Sequence, residues 1–313
     1  MINNLYIRYP VVYNQIYDVL KKHNAKYVTF FIDLQSIARG LFNKKTVELE
    51  IARYAENKYL NTLPNELLNF IENLKEKFKK YDLFFVIFYD DGLNEIHRSI
   101  LKEYKANRTY SFQDSVYEEI YKKLKKCYFL KIYEFNKFDD ISVVYLNKYE
   151  NDFIPYFVID NNLLDTKSEE NVNIILSVDK DLLQTLSFPN TYQFISSYKQ
   201  GKYLLNLYSD KNAVKYLYEK ENDLTSKYIP LILSIAGDKS DNIKGIKGIG
   251  YAKAIKLIKK YDIKPDLSNI DKIDCQIIKD NLKLIKTNYK LISFKEYIKL
   301  LPLKVKEFIL KHF

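Results

Sequence analysis

Three short β-rich runs, each closing in an aspartate, limit what this chain can fold into. Tyr27 to Asp33 reads YVTFFID. Leu83 to Tyr89 reads LFFVIFY and leads to Asp90 and Asp91, and Asn173 to Val178 reads NIILSV and leads to Asp179. Weaker runs lie at Tyr128 to Tyr133 and Pro155 to Ile159. Helical periods fill the intervals, at Ser36 to Phe42, Asn65 to Lys80, Ile96 to Asn107, Gln113 to Lys126 and Asp139 to Tyr149. Continuous apolar strands alternating with helices predict an α/β fold, with a mainly parallel central sheet and helices on both faces. Ligands of open α/β sheets bind beyond the carboxyl ends of the strands, so Asp33, Asp90 and Asp179 are expected to share one edge. A lone Asp in such a place more often caps a helix or opens a turn; three together favour a site.

From Leu224 onward strand-like runs give way to helical periods that end with Leu303 to Phe313. A boundary near Asn222 divides the chain into parts 1–222 and 223–313, and the turn at Tyr198 to Lys202 is expected to join two short edge strands. The 313 residues suffice for one large or two modest domains, and a 47% hydrophobic, 15% aromatic composition argues against disorder. Cys127 and Cys275 are the only cysteines. They form neither a disulfide framework nor a zinc spacing, which predicts a reducing, intracellular setting. Met1 to Lys26 has no apolar core of a signal peptide, and no run approaches the ~20 apolar residues of a membrane helix. No membrane association is expected.

Fifty Lys and Arg against forty Asp and Glu leave a formal charge of +10. Only five of the cations are Arg, a Lys bias that with abundant Asn, Ile and Tyr reads as AT-rich coding sequence. Net charge alone therefore suggests a polyanion partner and a solvated surface about equally. Its distribution says more. Four of the seven glycines fall in Gly237 to Gly250 (GDKSDNIKGIKGIG), and between Gly237 and Lys264 eight Lys and three Asp make a net of +5. Gly245, Gly248 and Gly250 form a tight loop before the helical Tyr251 to Lys260, an arrangement suited to a phosphate at a helix N-terminus. It is no nucleotide P-loop, because it lacks the Gly-Lys-Ser/Thr ending and does not follow a strand.

These residues resemble the flap endonuclease and 5′→3′ exonuclease family. Gly237-Asp238-Lys239-Ser240-Asp241-Asn242-Ile243, followed by Gly245 to Gly250, is similar to the family's helix–three-turn–helix, which grips duplex DNA. Ser177 to Gln184 is similar to its second acidic motif and Tyr104-Lys105-Ala106-Asn107-Arg108 to its basic helix. Asp33 with Ser36 and Arg39, and Phe88-Tyr89-Asp90, fit its remaining strand-end motifs. The motifs stand in family order from Asp33 to Lys260. Within the family, the length, the N-terminal extension and Asn281 to Phe294 resemble the T-even phage ribonuclease H type. The resemblance implies a PIN-like nuclease core with a helical arch near 97–127, and a C-terminal DNA-binding part.

The resemblance also implies a set of metal-binding acids: Asp33, Asp90, Asp139, Asp140, Asp179, Asp181, Asp238 and Asp241. Two carboxylates at ~4 Å repel by roughly 4 kcal/mol at an effective dielectric of 20, so such a cluster needs cations. Oxygen-only ligands suit two Mg²⁺ or Mn²⁺ ions, which about 4 Å apart serve phosphodiester hydrolysis. Lys105 and Arg108 would offset charge on the phosphate. Lys244, Gly245, Lys247, Gly248, Gly250 and Lys253 would hold the DNA backbone without reading sequence, with K⁺ at the hairpin. Tyr110 and Phe112 are placed to stack on an unpaired base.

One departure stands out. Where the family has Glu-Ala-Asp-Asp opening a helix, this chain has Lys137-Phe138-Asp139-Asp140. Either Glu134 replaces the ligand, or the first metal is held more weakly, or Lys137 silences hydrolysis. The expected function is a structure-specific 5′-nuclease acting on branched or nicked DNA or RNA–DNA hybrids, a monomer working beside a polymerase, clamp or single-strand-binding protein. A silent junction-binding homologue is the alternative. A PIN-like RNase is a third reading, disfavoured by the Gly237 to Gly250 hairpin.

Overall fold

The computed structural model describes residues 9–34, 36, 69–89, 94–107, 139–199, 202–220 and 222–313. The sheet strands are β1 (Tyr27–Asp33), β2 (Asp82–Phe88), β3 (Ile141–Val144), β4 (Asn171–Leu176), β5 (Thr191–Lys199) and β6 (Lys202–Tyr208). They lie in the order β3-β2-β1-β4-β5-β6. The first five are parallel, and β6 runs antiparallel to β5, with Lys199 opposite Lys202. From β1 the chain moves outward to β2 and β3, then returns to β4 on the other side. The topological switch point therefore lies between the carboxyl ends of β1 and β4, where open sheets bind ligands.

Helices cover both faces. Val28, Phe30 and Ile32 alternate along β1 and meet Ile16 and Leu20 of α1 (Tyr9–Lys22), with Phe70, Ile71, Leu74 and Phe78 of the segment whose helix spans 69–77. Phe31, Val86, Phe88 and Ile175 point the other way. They join α3 (Ile154–Asp160) and α5 (Ile229–Ala236) in one apolar cluster, which continues through α6 (Tyr251–Lys260), α8 (Leu282–Ile292), α9 (Phe294–Leu300) and α10 (Leu303–His312). That cluster crosses residue 222 without a break. Burial on both faces explains why the strands read as continuous apolar runs. Each fully buried Phe contributes on the order of 1.5–3 kcal/mol. No helix among the described residues is long and apolar enough to cross a membrane.

Three assignments differ from expectation. Pro155 to Ile159 is helical: a short apolar run does not reveal its own period, and Pro155 stands in the first turn of α3, where its missing N–H costs nothing. The stretch from Asp139 to Tyr149 contains strand β3, whose Ile141, Val143 and Val144 are β-branched and pair with Phe85 to Phe88. Helix α2 (Glu95–Ile100) stops early, and residues through Asn107 follow as turns. Tyr128 to Tyr133, Gln113 to Lys126 and most of Ser36 to Phe42 lie outside the described residues.

A two-residue hairpin, β7 (Gly237–Asp238) against β8 (Ile243–Lys244), links α5 to the loop before α6. Two glycines make it possible. Gly237 has φ +82°, and a Cβ there would stand 2.3 Å from the Gly245 nitrogen; a Cβ on Gly245 would meet the Ala236 carbonyl oxygen at 2.2 Å. Beyond them Gly248, at φ +77°, takes the left-handed position of a turn closed by the Ile249 N–H on the Ile246 carbonyl. Gly245→Ala is expected to cost about 1–3 kcal/mol or more by chemical denaturation. Gly250→Ala, where a Cβ meets open space, should cost no more than about 1 kcal/mol.

Candidate metal centre and nucleic-acid interface

The centre begins at the switch point. Asp33 closes β1, is 6% exposed, and accepts hydrogen bonds from the Ser36 N–H and hydroxyl and from the Ser177 hydroxyl at 2.6 Å. Ser177 follows the end of β4 and binds the Asp179 N–H at 3.0 Å. The Asp179 carboxylate in turn accepts the Asp181 N–H at 2.9 Å, opening a 3₁₀ turn over Asp181–Ser187. Gln193 of β5 donates to the carbonyls of Ser177 and Asp179. Burial raises the pKa of Asp179 and pushes that of Asp181 well above the usual carboxylate range.

The hairpin brings the second group of acids. Asp238 binds the Ser240 N–H at 3.0 Å and hydroxyl at 2.6 Å through Oδ1. Burial alone would raise its pKa, but the Lys180 ammonium 2.8 Å from Oδ2, together with Ser240, outweighs that and holds it low. Asp181, Asp238 and Asp241 each place a carboxylate oxygen within 4.8 Å of the others. Asp181 Oδ1 is buried without a hydrogen-bond partner, its contact with Lys180 being 3.8 Å. Three convergent carboxylates, one with an oxygen unused, fit a hard divalent cation.

The segment after α2 supplies the cations. The Lys105 N–H donates to the Asp241 carbonyl at 2.9 Å, Asn107 to the Lys239 carbonyl and Asn242 to the Glu103 carbonyl, both at 2.8 Å. Lys105 Nζ pairs with Glu150 and lies 3.8 Å from Asp241 Oδ2. The Tyr104 hydroxyl reaches Asp241 Oδ2 at 2.8 Å and Glu150 Oε2 at 3.0 Å. His97 stacks between Tyr104 and Tyr297, presents Nδ1 to Glu150 Oε2 at 3.1 Å and bonds the Leu291 carbonyl through Nε2. The Glu150 N–H donates to the Tyr297 hydroxyl. Burial acts against the Glu150 charge, yet Lys105 and His97 bring its pKa down to about 2.

Glu150 and its neighbour Asp152 were not among the expected site residues. Asp152 lines a small cavity beside Glu150 and Asp181. The sequence signal was an acid-x-acid pair, Glu150-Asn151-Asp152, directly before the Pro-led apolar run that becomes α3. Asp139 and Asp140, by contrast, do not join the centre. They precede β3 at the amino end of the sheet, and Ile141 pairs with Phe85, three residues short of the Phe88 level of Asp33. At 3.3 Å per residue Asp140 stands on the order of 13 Å below the carboxyl edge. Its carboxylate is 2.8 Å from Lys75 Nζ. Asp90, Arg108, Lys137, Glu134, Tyr110 and Phe112 lie outside the described residues.

Next to the acids lies the basic surface. Lys244, Lys247, Gly248, Gly250 and Lys253 are exposed, Gly245 is half-buried, and Lys253 Nζ closes the loop on the Gly248 carbonyl at 2.9 Å. No side chain caps α6, whose N-terminus opens beside this loop. The pH dependence of the acid cluster is testable at Glu150. A carboxylate whose folded pKa lies below its unfolded value stabilises the fold above the unfolded value and loses that contribution as pH falls through the folded one. The stability gap between wild type and Glu150→Gln should be full near neutral pH and close between the ordinary 4.5 and about 2, read from denaturation curves along pH.

No protein-family model matches the chain. DNA polymerase I of Caldicellulosiruptor bescii is 28% identical over 218 residues, 68% of this chain and 22% of the polymerase. A 5′-3′ exonuclease of Aquifex aeolicus is 30% identical over 120 residues, 38% of this chain and 37% of that protein. One of Buchnera aphidicola from Acyrthosiphon pisum is 27% identical over 261 residues, 79% and 80% of the two chains. The chain thus spans well under two thirds of the first two relatives. Among solved structures, bacteriophage T5 D15 flap endonuclease in a pseudo-enzyme-product complex with DNA and metal ions superposes with a TM-score of 0.63. The match has 17% identity and covers 91% of this chain and 98% of that one. The chain is thus similar in sequence to 5′-3′ exonucleases and shares the fold of the T5 flap endonuclease.

Proposed function

We propose that this chain is a metal-dependent, structure-specific 5′-nuclease that hydrolyses phosphodiesters near single-strand/duplex junctions. The observation that carries this reading is the meeting of Asp181, Asp238 and Asp241 beside the switch point, with Lys105 bonded through its backbone to Asp241. The family relatives are named 5′-3′ exonucleases, and the T5 neighbour is described in complex with DNA and metal ions.

In this reading Asp181, Asp238 and Asp241 would hold one divalent ion, with Asp33, Asp179, Glu150 and Asp152 as the acids nearest a second. Mg²⁺ and Mn²⁺ are the ions suited to such oxygen donors. Bound there, they would supply an activated water and charge for the scissile phosphate. The chain's own residues do the rest. Lys105 remains paired with Glu150 and presents a fixed positive charge at the cluster. Lys244, Lys247 and Lys253 and the open amides of α6 hold phosphates of the duplex, with K⁺ a candidate at the same loop. The part after residue 222 then acts as the DNA-holding half, its α5–hairpin–α6 unit serving as a helix–three-turn–helix. Glu150 supports hydrolysis over a silent junction binder, because it brings to the cluster the acid for which Lys137 is no substitute. RNA primers and replication proteins fit this role as substrate and partners.

A 5′-flap labelled at its 5′ end tests the reading. Cleavage should require Mg²⁺ or Mn²⁺ and fall by more than about a hundredfold in Asp238→Asn, since even the outer partners of metal ligands are worth 10–100-fold. Tight binding without cleavage in either ion would sink it. At the loop, Lys247→Ala should weaken duplex binding and lower its salt slope by about one charge. An unchanged slope would remove Lys247 from the interface.

A further inference from the structure

Lys180 lies between two acids of the chain, Asp179 and Asp181, and its ammonium reaches a third. It stands 2.8 Å from Asp238 Oδ2, 2.8 Å from the Ser240 hydroxyl and 3.8 Å from Asp181 Oδ1, with its side chain 18% exposed. The two oxygens of Asp238 have different employments. Oδ1 takes both donors of Ser240, while Oδ2 faces Lys180. A cation shared by Asp181, Asp238 and Asp241 must therefore approach the oxygen that Lys180 occupies. A divalent ion and an ammonium a few ångströms apart repel strongly in so desolvated a place.

We propose that Lys180 is the resident counter-ion of the metal-free cluster, and that its ammonium leaves Asp238 when a divalent ion binds. The inference rests on the reading of the three acids as a metal site. Lys180 is suited to the part because its charge sits on a flexible stem that is itself 18% exposed, two positions after the 39% exposed Val178. Lys105 is not suited. It is fastened by its backbone to Asp241, by its ammonium to Glu150, and lies over the Tyr104 ring. One lysine thus stays while the other is exchanged. In the absence of metal the exchange lysine keeps three convergent carboxylates from repelling one another, and in its presence it yields.

Mn²⁺ binding followed by electron paramagnetic resonance tests this on the full chain without any nuclease readout. Lys180→Met should bind Mn²⁺ about tenfold tighter, a difference of ~1.4 kcal/mol, and should melt at lower temperature in EDTA. Lys180→Arg, which keeps the charge, should not bind tighter. In the wild-type protein, acylation of Lys180 read by peptide mass spectrometry should be slow in EDTA and rise in saturating Mn²⁺. If Lys180→Met folds only with metal, this wild-type labelling decides alone. Unchanged or weaker binding by Lys180→Met, or labelling that Mn²⁺ does not alter, overturns the proposal. The metal reading then survives provided that Asp241→Asn still abolishes binding. Absence of Mn²⁺ binding by wild type and Lys180→Met alike overturns the metal reading and the proposal with it.

Discussion

Carboxylates gathered out of water at one sheet edge repel one another, and at neutral pH each loses solvation as well. The molecule answers with two lysines in unlike settings: Lys105 locked against Glu150 and Asp241, and Lys180 between Asp238 and Asp181. Their effects differ from acid to acid. Glu150 is held ionised by Lys105 and His97, while Asp179 and Asp181 are driven toward protonation by burial. The geometry that gathers these groups follows from the strand order, which among the described residues changes direction between β1 and β4.

The helical half is part of this arrangement. Gln184 donates to the carbonyls of Asp181 and Ile292 and accepts the Phe294 N–H, joining the acidic turn to the α8–α9 junction. Asn288 of α8 donates to the carbonyls of Ser234 and Lys244, bracing α5 against the hairpin. Tyr297 of α9 both stacks on His97 and accepts from the Glu150 backbone. These buried polar links share one apolar cluster with the sheet. They therefore hold hairpin, acids and sheet at fixed spacing.

Much of this was legible in the residues, and the illegible part has a physical reason. Tyr27–Asp33 folds with the bounds its apolar run indicates, since a strand buried on both faces leaves no ambiguity of period. Asp238 and Asp241 were named through the family resemblance of Gly237 to Gly250, whose glycines Gly237 and Gly245 the tight hairpin requires. Glu150 was hidden by a decoy. Asp139-Asp140 offers two adjacent acids ahead of what looks like a helix, but β-branched Ile141, Val143 and Val144 extend as strand β3 and leave those acids at the amino end of the sheet. The acid that meets Lys105 and Tyr104 comes one loop later, before a helix whose Pro-led run passes for a strand. Neither Lys180 nor His97 carries a local signal, because their roles arise from partners up to 194 positions away.

Asp241 serves twice. Its side chain meets Asp181 and Asp238, while its main-chain carbonyl receives the Lys105 N–H, with Asn242 and Lys239 fastened on either side to Glu103 and Asn107. The loop between Asp238 and Ile243 is thereby measured from both ends. An inserted or deleted residue would put the carboxylate and the carbonyl out of step with each other, just as a change at Ser240 or Asn242 would undo the bonds their side chains make to Asp238 and Glu103. The loop's length is thereby under the same constraint as the acids it carries.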